Sequence, residues 1–414
     1  MNEAVDNMQK LLVYRNILQD DLVQKLFYPL DDSACFELAS QYITRAELLA
    51  LEGNVLKSYL IYLILRDDNI FSRTAEKADL PLGSSLMQAV IQDIVILRNF
   101  LCSSSSIMIP SELLINYVPT AIISNADLYE LTTYLLDSTG KYSPEHIAGK
   151  LINYYARHGY GEMANYKFFR WDTAEGLIGI NHYDPITLED IVGYERQKQA
   201  LINNTEAFLA GKPCHNVLLV GARGTGKSSS AKAIANRYYS SGLRLVEVPK
   251  HGLKSIPTLM KSLRSFGKKF ILFLDDLSFE ETELEYKYLK SMLEGGVELK
   301  PDNVLIYATS NRRHLVRETW SDRSDNSDDI HRPDTVHEKL SLSDRFGLTL
   351  TYMTPSQEEY FAIVEEVAKK KNLSFDYSKL RADALQWETL HSGRSGRTAQ
   401  QFIAHLLGSC QEPT

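Results

Sequence analysis

The sequence predicts an α/β fold, a parallel sheet with helices on both faces, flanked by an all-helical N-terminal domain and a C-terminal helical lid. Three observations predict it. Five short apolar runs, at 216–220, 243–248, 270–274, 304–308 and 348–352, follow one another with helical stretches between most of them, the pattern of strands buried on both sides. Apolar residues recur at helical spacing up to about residue 166 and again at 356–370, 379–390 and 397–407. Between the first apolar run and a helical stretch lies Gly221-Ala-Arg-Gly-Thr-Gly-Lys-Ser228, the spacing G-x-x-x-x-G-K-S of a phosphate-binding loop in strand–turn–helix context.

The elements follow in order. In the N-terminal part, Met87–Leu101 and Asp127–Leu136 carry helical periodicity, and Ser143-Pro-Glu starts another helix with a serine cap and proline at the first position. The most apolar window, Tyr59–Leu65, is bracketed by Lys57 and Arg66-Asp-Asp; it is too short to span a bilayer and reads as a buried helix. The aromatics from Tyr154 to Trp171 lack the interleaved cations of a nucleic-acid stacking platform and read as core or as a domain seam. Gly176, Gly179 and Pro185 mark a linker. The expected organisation is a helical domain over 1–170, a linker over 171–190, the α/β domain over 191–352 and the lid over 353–414.

Composition narrows the class. With 44% apolar and 24% charged residues the 414-residue chain reads as soluble and globular, long enough for two or three cores. The formal charge of −8 resides in residues 1–180, which hold 14 Lys+Arg and 22 Asp+Glu, and the rest is balanced; an acidic N-terminal half disfavours a general nucleic-acid grip. Four scattered cysteines without a C-x-x-C pair argue against a disulfide scaffold or metal cluster and for a reducing, cytoplasmic setting. The acidic start, with no signal-type apolar core after it, gives no expectation of export, and no membrane segment is expected.

The chemistry-bearing residues form three motifs. In the phosphate loop, Gly221, Ala222, Arg223, Gly224, Thr225 and Gly226 let backbone N–H groups turn toward an anion. Lys227 brings a charge to the β- and γ-phosphates, Ser228 offers a hydroxyl to Mg²⁺, and Ser229 continues into a helix whose dipole favours the anion. Next, Phe270-Ile-Leu-Phe-Leu ends in Asp275-Asp276, with Asp275 placed to hold Mg²⁺ and Asp276 to orient the attacking water. Glu280 is a rival base. Third, Val304-Leu-Ile-Tyr-Ala-Thr-Ser-Asn311 delivers Asn311 to the same sheet edge, as a hydrogen bonder to phosphate or water or as part of a simple turn.

In that order the motifs resemble the AAA+ ATPases, from about residue 185 onward. The strings Leu274-Asp-Asp-Leu-Ser-Phe-Glu280, Leu293-Glu-Gly-Gly-Val297, Ala308-Thr-Ser-Asn-Arg-Arg-His-Leu315 and Lys339–Gly347 resemble a bacterial family of predicted ATPases of unknown function. The resemblance implies that Ile191, Val192 and Gly193, in Asp190-Ile-Val-Gly, line the adenine pocket. It also implies that Arg345, in Leu342-Ser-Asp-Arg-Phe-Gly, reaches a nucleotide on the next subunit, and that Arg397 is the sensor-2 arginine, with Arg394 in reserve. The second acid departs from the family's usual glutamate.

The expected function is a Mg²⁺-dependent ATPase, a homo-oligomer formed or stabilised by ATP, with the N-terminal domain engaging a macromolecular client. The alternatives are a nucleic-acid-directed ATPase of helicase-loader type, which is not favoured, and a nucleotide-gated scaffold with little turnover. Two segments stay open. Arg312-Arg-His is a cationic element of a subunit boundary, an anion patch or plain surface, and 318–334 reads as a mobile polar loop.

Overall fold

The computed structural model of the chain describes residues 3–28, 31–77, 82–103, 114–120, 126–137, 139–279, 285–294, 300–311, 344–391 and 393–409. Two units emerge, one of residues 1–165 with 266–268 and one of 166–265 with 269–414. Glu280, Arg312, Arg313, His314 and the 318–334 stretch lie outside the described residues.

The first unit is helical, as expected. Its helices are α1 (Glu3–Met8), α2 (Asp21–Lys25), α3 (Asp32–Leu49), α4 (Val55–Arg66), α5 (Ile70–Glu76), α6 (Ser84–Cys102), α7 (Ala126–Leu135), α8 (Pro144–His158) and α9 (Gly161–Asn165). The apolar window lies in α4, whose Leu60, Ile61 and Ile64 pack with Phe71 of α5, Ile94 and Leu97 of α6, and Leu151 and Tyr155 of α8. Ser143 caps α8 by accepting from the His146 N–H, with Pro144 at the first helical position. Helix α6 is long and apolar enough to cross a membrane by length and composition, the one such helix among the described residues. Here its inner face carries a buried carboxylate. Asp93 is fully buried and accepts the backbone N–H groups of Leu12, Val13 and Tyr14 at 2.7–3.1 Å.

The second unit is built on β1 (Phe168–Asp172), β2 (Gly176–Gly179), β3 (Val217–Gly221), β4 (Leu243–Glu247), β5 (Lys269–Leu274), β6 (Val304–Ser310) and β7 (Leu348–Tyr352). They form one sheet in the order β2-β1-β4-β5-β6-β3-β7. Every pairing is parallel except β1 with β2. Helices α10 (Glu195–Leu209), α11 (Lys227–Tyr238), α12 (Ile256–Leu263) and α13 (Glu285–Glu294) connect the strands. All of the residues of β6, and all but the first of β5, are buried, as expected of strands covered on both faces, which read as near-continuous apolar runs. From β4 through β6 the chain works back toward β3, then steps over it to β7. This reversal makes the C-terminal end of β3 a topological switch point, where open α/β sheets collect ligands.

The lid is α14 (Gln357–Lys370), α15 (Tyr377–Leu390) and α16 (Gly396–Ser409), closed on Tyr360, Phe361, Val364, Leu380 and Phe402. Ser356 and Glu359 form a capping box at the start of α14.

One expectation is corrected. Residues 171–190 are not a linker throughout, because β1 and β2 form a hairpin that extends the sheet at β4. The Asp172 carboxylate accepts the N–H groups of Ala174 and Glu175, which makes the turn. Trp171 is buried, and its indole N–H donates to Ser255 Oγ at 2.7 Å. An aromatic run, a turn and Leu177-Ile178 already spelled a hairpin.

Candidate nucleotide site at the sheet edge

Gly221 ends β3 with φ +149, and a Cβ there would lie 2.0 Å from the carbonyl oxygen of Tyr352 on β7. Only glycine lets the loop leave the sheet between these backbones. At Gly224, φ is +77 and a Cβ would meet Ser395 Oγ of the lid at 2.8 Å. The loop therefore lies directly under the start of α16. Gly226, in the left-handed conformation, caps α11, which begins at Lys227.

Lys227 is only 6% exposed. Its ammonium donates to the carbonyls of Gly221 (2.8 Å) and Ala222 (2.7 Å) and to Asn311 Oδ1 (3.0 Å). Burial pushes its pKa below the ordinary lysine value, while the nearby Asp276 and Asp275 carboxylates oppose that shift. A partly desolvated cation at a helix N-terminus is stabilised most by an anion placed beside it.

The two acids leave the buried strand β5 side by side, and both are exposed. Asp275 Oδ1 accepts from Ser228 Oγ at 2.6 Å and from Thr309 Oγ1 at 2.6 Å. Asp276 has φ +49, and its carboxylate accepts the side-chain amide of Asn311 at 2.5 Å. A hydroxyl and a carboxylate, both hard oxygens and in mutual contact at the foot of the phosphate loop, suit Mg²⁺, which takes few protein oxygens and fills the rest of its shell with water and phosphate.

These groups bound a cavity of about 440 Å³, within the ~300–1,000 Å³ range of small-molecule sites. Its lining combines the polar groups of Arg223–Ser229, Asp275, Asp276 and Asn311 with the side chains of Ile186, Ile191, Val192, Tyr194, Ile363 and Val367. Ile191 packs into the sheet core and Val192 against the lid. The strap before α10 is thus held between the two layers. Asp190 anchors it, accepting from Lys370 Nζ of α14 at 2.6 Å and from the Thr187 N–H. Those contacts, Lys370 first, hold its pKa down at about 2. Tyr194 OH donates to the carbonyl of Met353, between β7 and the lid.

Of the residues singled out from the sequence, Ile191, Val192, the loop from Arg223 to Ser229, Asp275, Asp276, Asn311 and Arg397 all line this cavity. Gly193 does not; it lines the neighbouring groove with Glu195 and Lys198. Arg394 is engaged elsewhere, with Glu388 at 2.7 Å. Arg345 also lies away from the cavity. Val217 pairs with Leu348 and Gly221 with Tyr352, so Leu348 is about 13 Å down the strand from the loop, and Arg345 is three residues further back. Thr309 and Tyr194, which stand in the sequence motifs without an assigned role, line it too, and Ile363, Val367 and Gln400 were not singled out. Thr309 precedes Asn311 by two residues, the repeat of a strand face, and Ile363 and Val367 stand one helical turn apart on α14. Both spacings were available to find them.

A mostly parallel sheet with this loop at its switch point, acids ending a nearby strand and a helical lid that brings an arginine to the same cavity defines an α/β fold of P-loop type. A family described as "Protein of unknown function (DUF815)" matches residues 164–410, and the chain belongs to that family. The replication factor C large subunit of Methanococcus maripaludis (strain C5) is 32% identical over 102 residues, 24% of this chain and 21% of that protein. The chain thus matches about a fifth of that relative's length. Among solved structures, the Thermotoga maritima RuvB Holliday junction branch migration motor aligns at 16% identity and TM-score 0.38, over 54% of this chain and 65% of that one. A katanin structure aligns at 18% identity and TM-score 0.34, over 55% and 74%.

Proposed function

We propose that this chain is a cytoplasmic, Mg²⁺-dependent ATPase that assembles with ATP and couples turnover to remodelling or switching of a macromolecular client held by its helical N-terminal part. One observation carries the reading: Lys227, Ser228, Asp275, Asp276, Asn311 and Arg397 line a single cavity together with the apolar side chains of Ile191, Val192, Ile363 and Val367. The three described cysteines are free thiols, in keeping with a reducing compartment.

The adenine packs on the apolar part of the lining, the Ile191–Val192 strap and the lid residues Ile363 and Val367. The triphosphate runs under α11's N-terminus, and Lys227 exchanges its carbonyl partners for phosphate oxygens. Ser228 and Asp275 would hold Mg²⁺, which when bound would neutralise charge on the phosphates. Asp276 takes a proton from the attacking water while Asn311 holds its carboxylate. Arg397 stabilises the charge on the γ-phosphoryl oxygens from the lid, and Arg345 does so from a neighbouring subunit, a contribution on the order of 10³–10⁵ in rate. The distance of Arg345 from its own chain's cavity supports that division.

Phosphate release tests the reading. Wild-type protein should hydrolyse ATP only with Mg²⁺, and Lys227→Ala should lose turnover by at least about 100-fold. Equal turnover in the two proteins would remove the site from the chemistry.

A further inference from the structure

We propose that Thr309 is the positioning residue that holds both acids of the site, setting Asp275 for the metal and Asp276 for the water. The proposal rests on the ATPase reading above and adds a residue to it. Strands β5 and β6 pair in parallel up to Leu274 opposite Ala308, which brings the next two residues, Asp275 and Thr309, together. At Asp276 the backbone turns to φ +49, a left-handed conformation that a non-glycine residue keeps only when its surroundings enforce it.

Thr309 supplies that enforcement. Its hydroxyl accepts the Asp276 N–H at 2.8 Å and donates to Asp275 Oδ1 at 2.6 Å. Its carbonyl accepts the Leu277 N–H at 2.7 Å, and Ser310 Oγ next to it donates to the Leu277 carbonyl at 2.7 Å. A threonine hydroxyl has one proton to give and can receive others, so one side chain fixes the direction of the first carboxylate and the backbone of the second. Thr309 is 1% exposed and does not depend on solvent to complete these bonds. The proton from Thr309 and the one from Ser228 both reach Oδ1 of Asp275. The carboxylate is therefore pinned by one oxygen from two elements.

Valine has nearly the shape of threonine but neither of these bonds, and serine keeps both. In Thr309→Val, kcat should fall roughly 10–100-fold, the range for residues that orient metal ligands. ATP affinity in EDTA should stay at the wild-type value, and the tightening of ATP binding by Mg²⁺ should be lost. In Thr309→Ser, both kcat and the Mg²⁺ effect should return to near wild type. Hydrogen exchange at the Asp276 amide gives a readout without nucleotide: protected in wild type and Thr309→Ser, fast in Thr309→Val. If the valine variant does not fold, Thr309→Ala makes the same comparison. Wild-type kcat and Mg²⁺ dependence in Thr309→Val overturn the proposal. So does a serine variant as impaired as the valine one, since packing alone would then explain the loss. Should wild type itself show no turnover, the ATPase reading fails separately, and the amide decides: fast exchange in Thr309→Val upholds the hold on the turn, and unchanged exchange refutes it.

Discussion

At Lys227 the chain buries an ammonium among two carbonyls and an amide oxygen. None of these partners carries a charge, so phosphate oxygens would replace them with a net gain. Asn311 ties this lysine to Asp276 through its two amide ends, and arrival of a γ-phosphate would reorganise all three groups together. The choice of base belongs at this scale. Asp276 lines the cavity, and Glu280 lies four residues on, outside the described residues. Single-turnover hydrolysis should fall about 10²–10⁴-fold in Asp276→Asn and stay near wild type in Glu280→Gln. The opposite pattern would transfer the role to Glu280. The phosphate loop and Asp275 were legible in the sequence because their chemistry requires contiguous residues of fixed type. The tie between Thr309 and Asp275 was not, since the two-residue spacing from Asn311 marks a shared strand face and only the register of β5 against β6 sets Thr309 beside Asp275. Arg394 and Arg397 could be ranked only by resemblance, and the ion pair of Arg394 with Glu388 separates them in the structure.

Elements were easier to read than their joins. The five central strands and the three lid helices stand where periodicity put them, because burial on both faces or on one helical stripe leaves a regular trace. The β1–β2 hairpin did not, being a short edge addition whose glycines resemble a linker. Nor did the carboxylate inside α6, where the apolar stripe hid that Asp93 serves backbone N–H groups 79–81 residues away. A second buried acid should make the first unit pH-sensitive. Asp67, at the C-terminal end of α4, is 7% exposed, and burial raises its pKa to about 6, with hydrogen bonds from Asn69 and Asn16 opposing the rise. A raised carboxyl pKa means the folded state favours the protonated form. The associated stability is complete below the unfolded value of about 4 and is lost as pH rises through 6. The difference is on the order of 2–3 kcal/mol. Hydrogen exchange in α4 and α5 should therefore speed up between pH 5 and 7 beyond the intrinsic rate increase. Asp67→Asn, which still accepts from Asn69, should remove that excess, and an excess unchanged in the variant would mean that Asp67 is not its source.

For the whole molecule, the acidic balance of residues 1–180 and the neutral balance of the remainder run close to the division near residue 165 between the helical unit and the α/β one. An assembly would complete the site by bringing Arg345 of one subunit to the nucleotide of the next. Light scattering should show ATP increasing the assembled mass of wild type. Turnover of Arg345→Ala should fall on the order of 10³-fold. Mixing that variant with Lys227→Ala, which still carries its own Arg345, should restore part of the rate. Full turnover by Arg345→Ala at every protein concentration would contradict a finger acting between subunits. All of these claims depend on triphosphate and Mg²⁺ being held together by Lys227, Ser228 and Asp275. Calorimetric titration of ATP into the full chain, with and without Mg²⁺ and in parallel with Lys227→Ala, measures that most directly. The predicted result is saturable binding that Mg²⁺ tightens and the alanine variant lacks; absence of binding heat in well-folded wild type at several temperatures, or the same isotherm for both proteins, would contradict it.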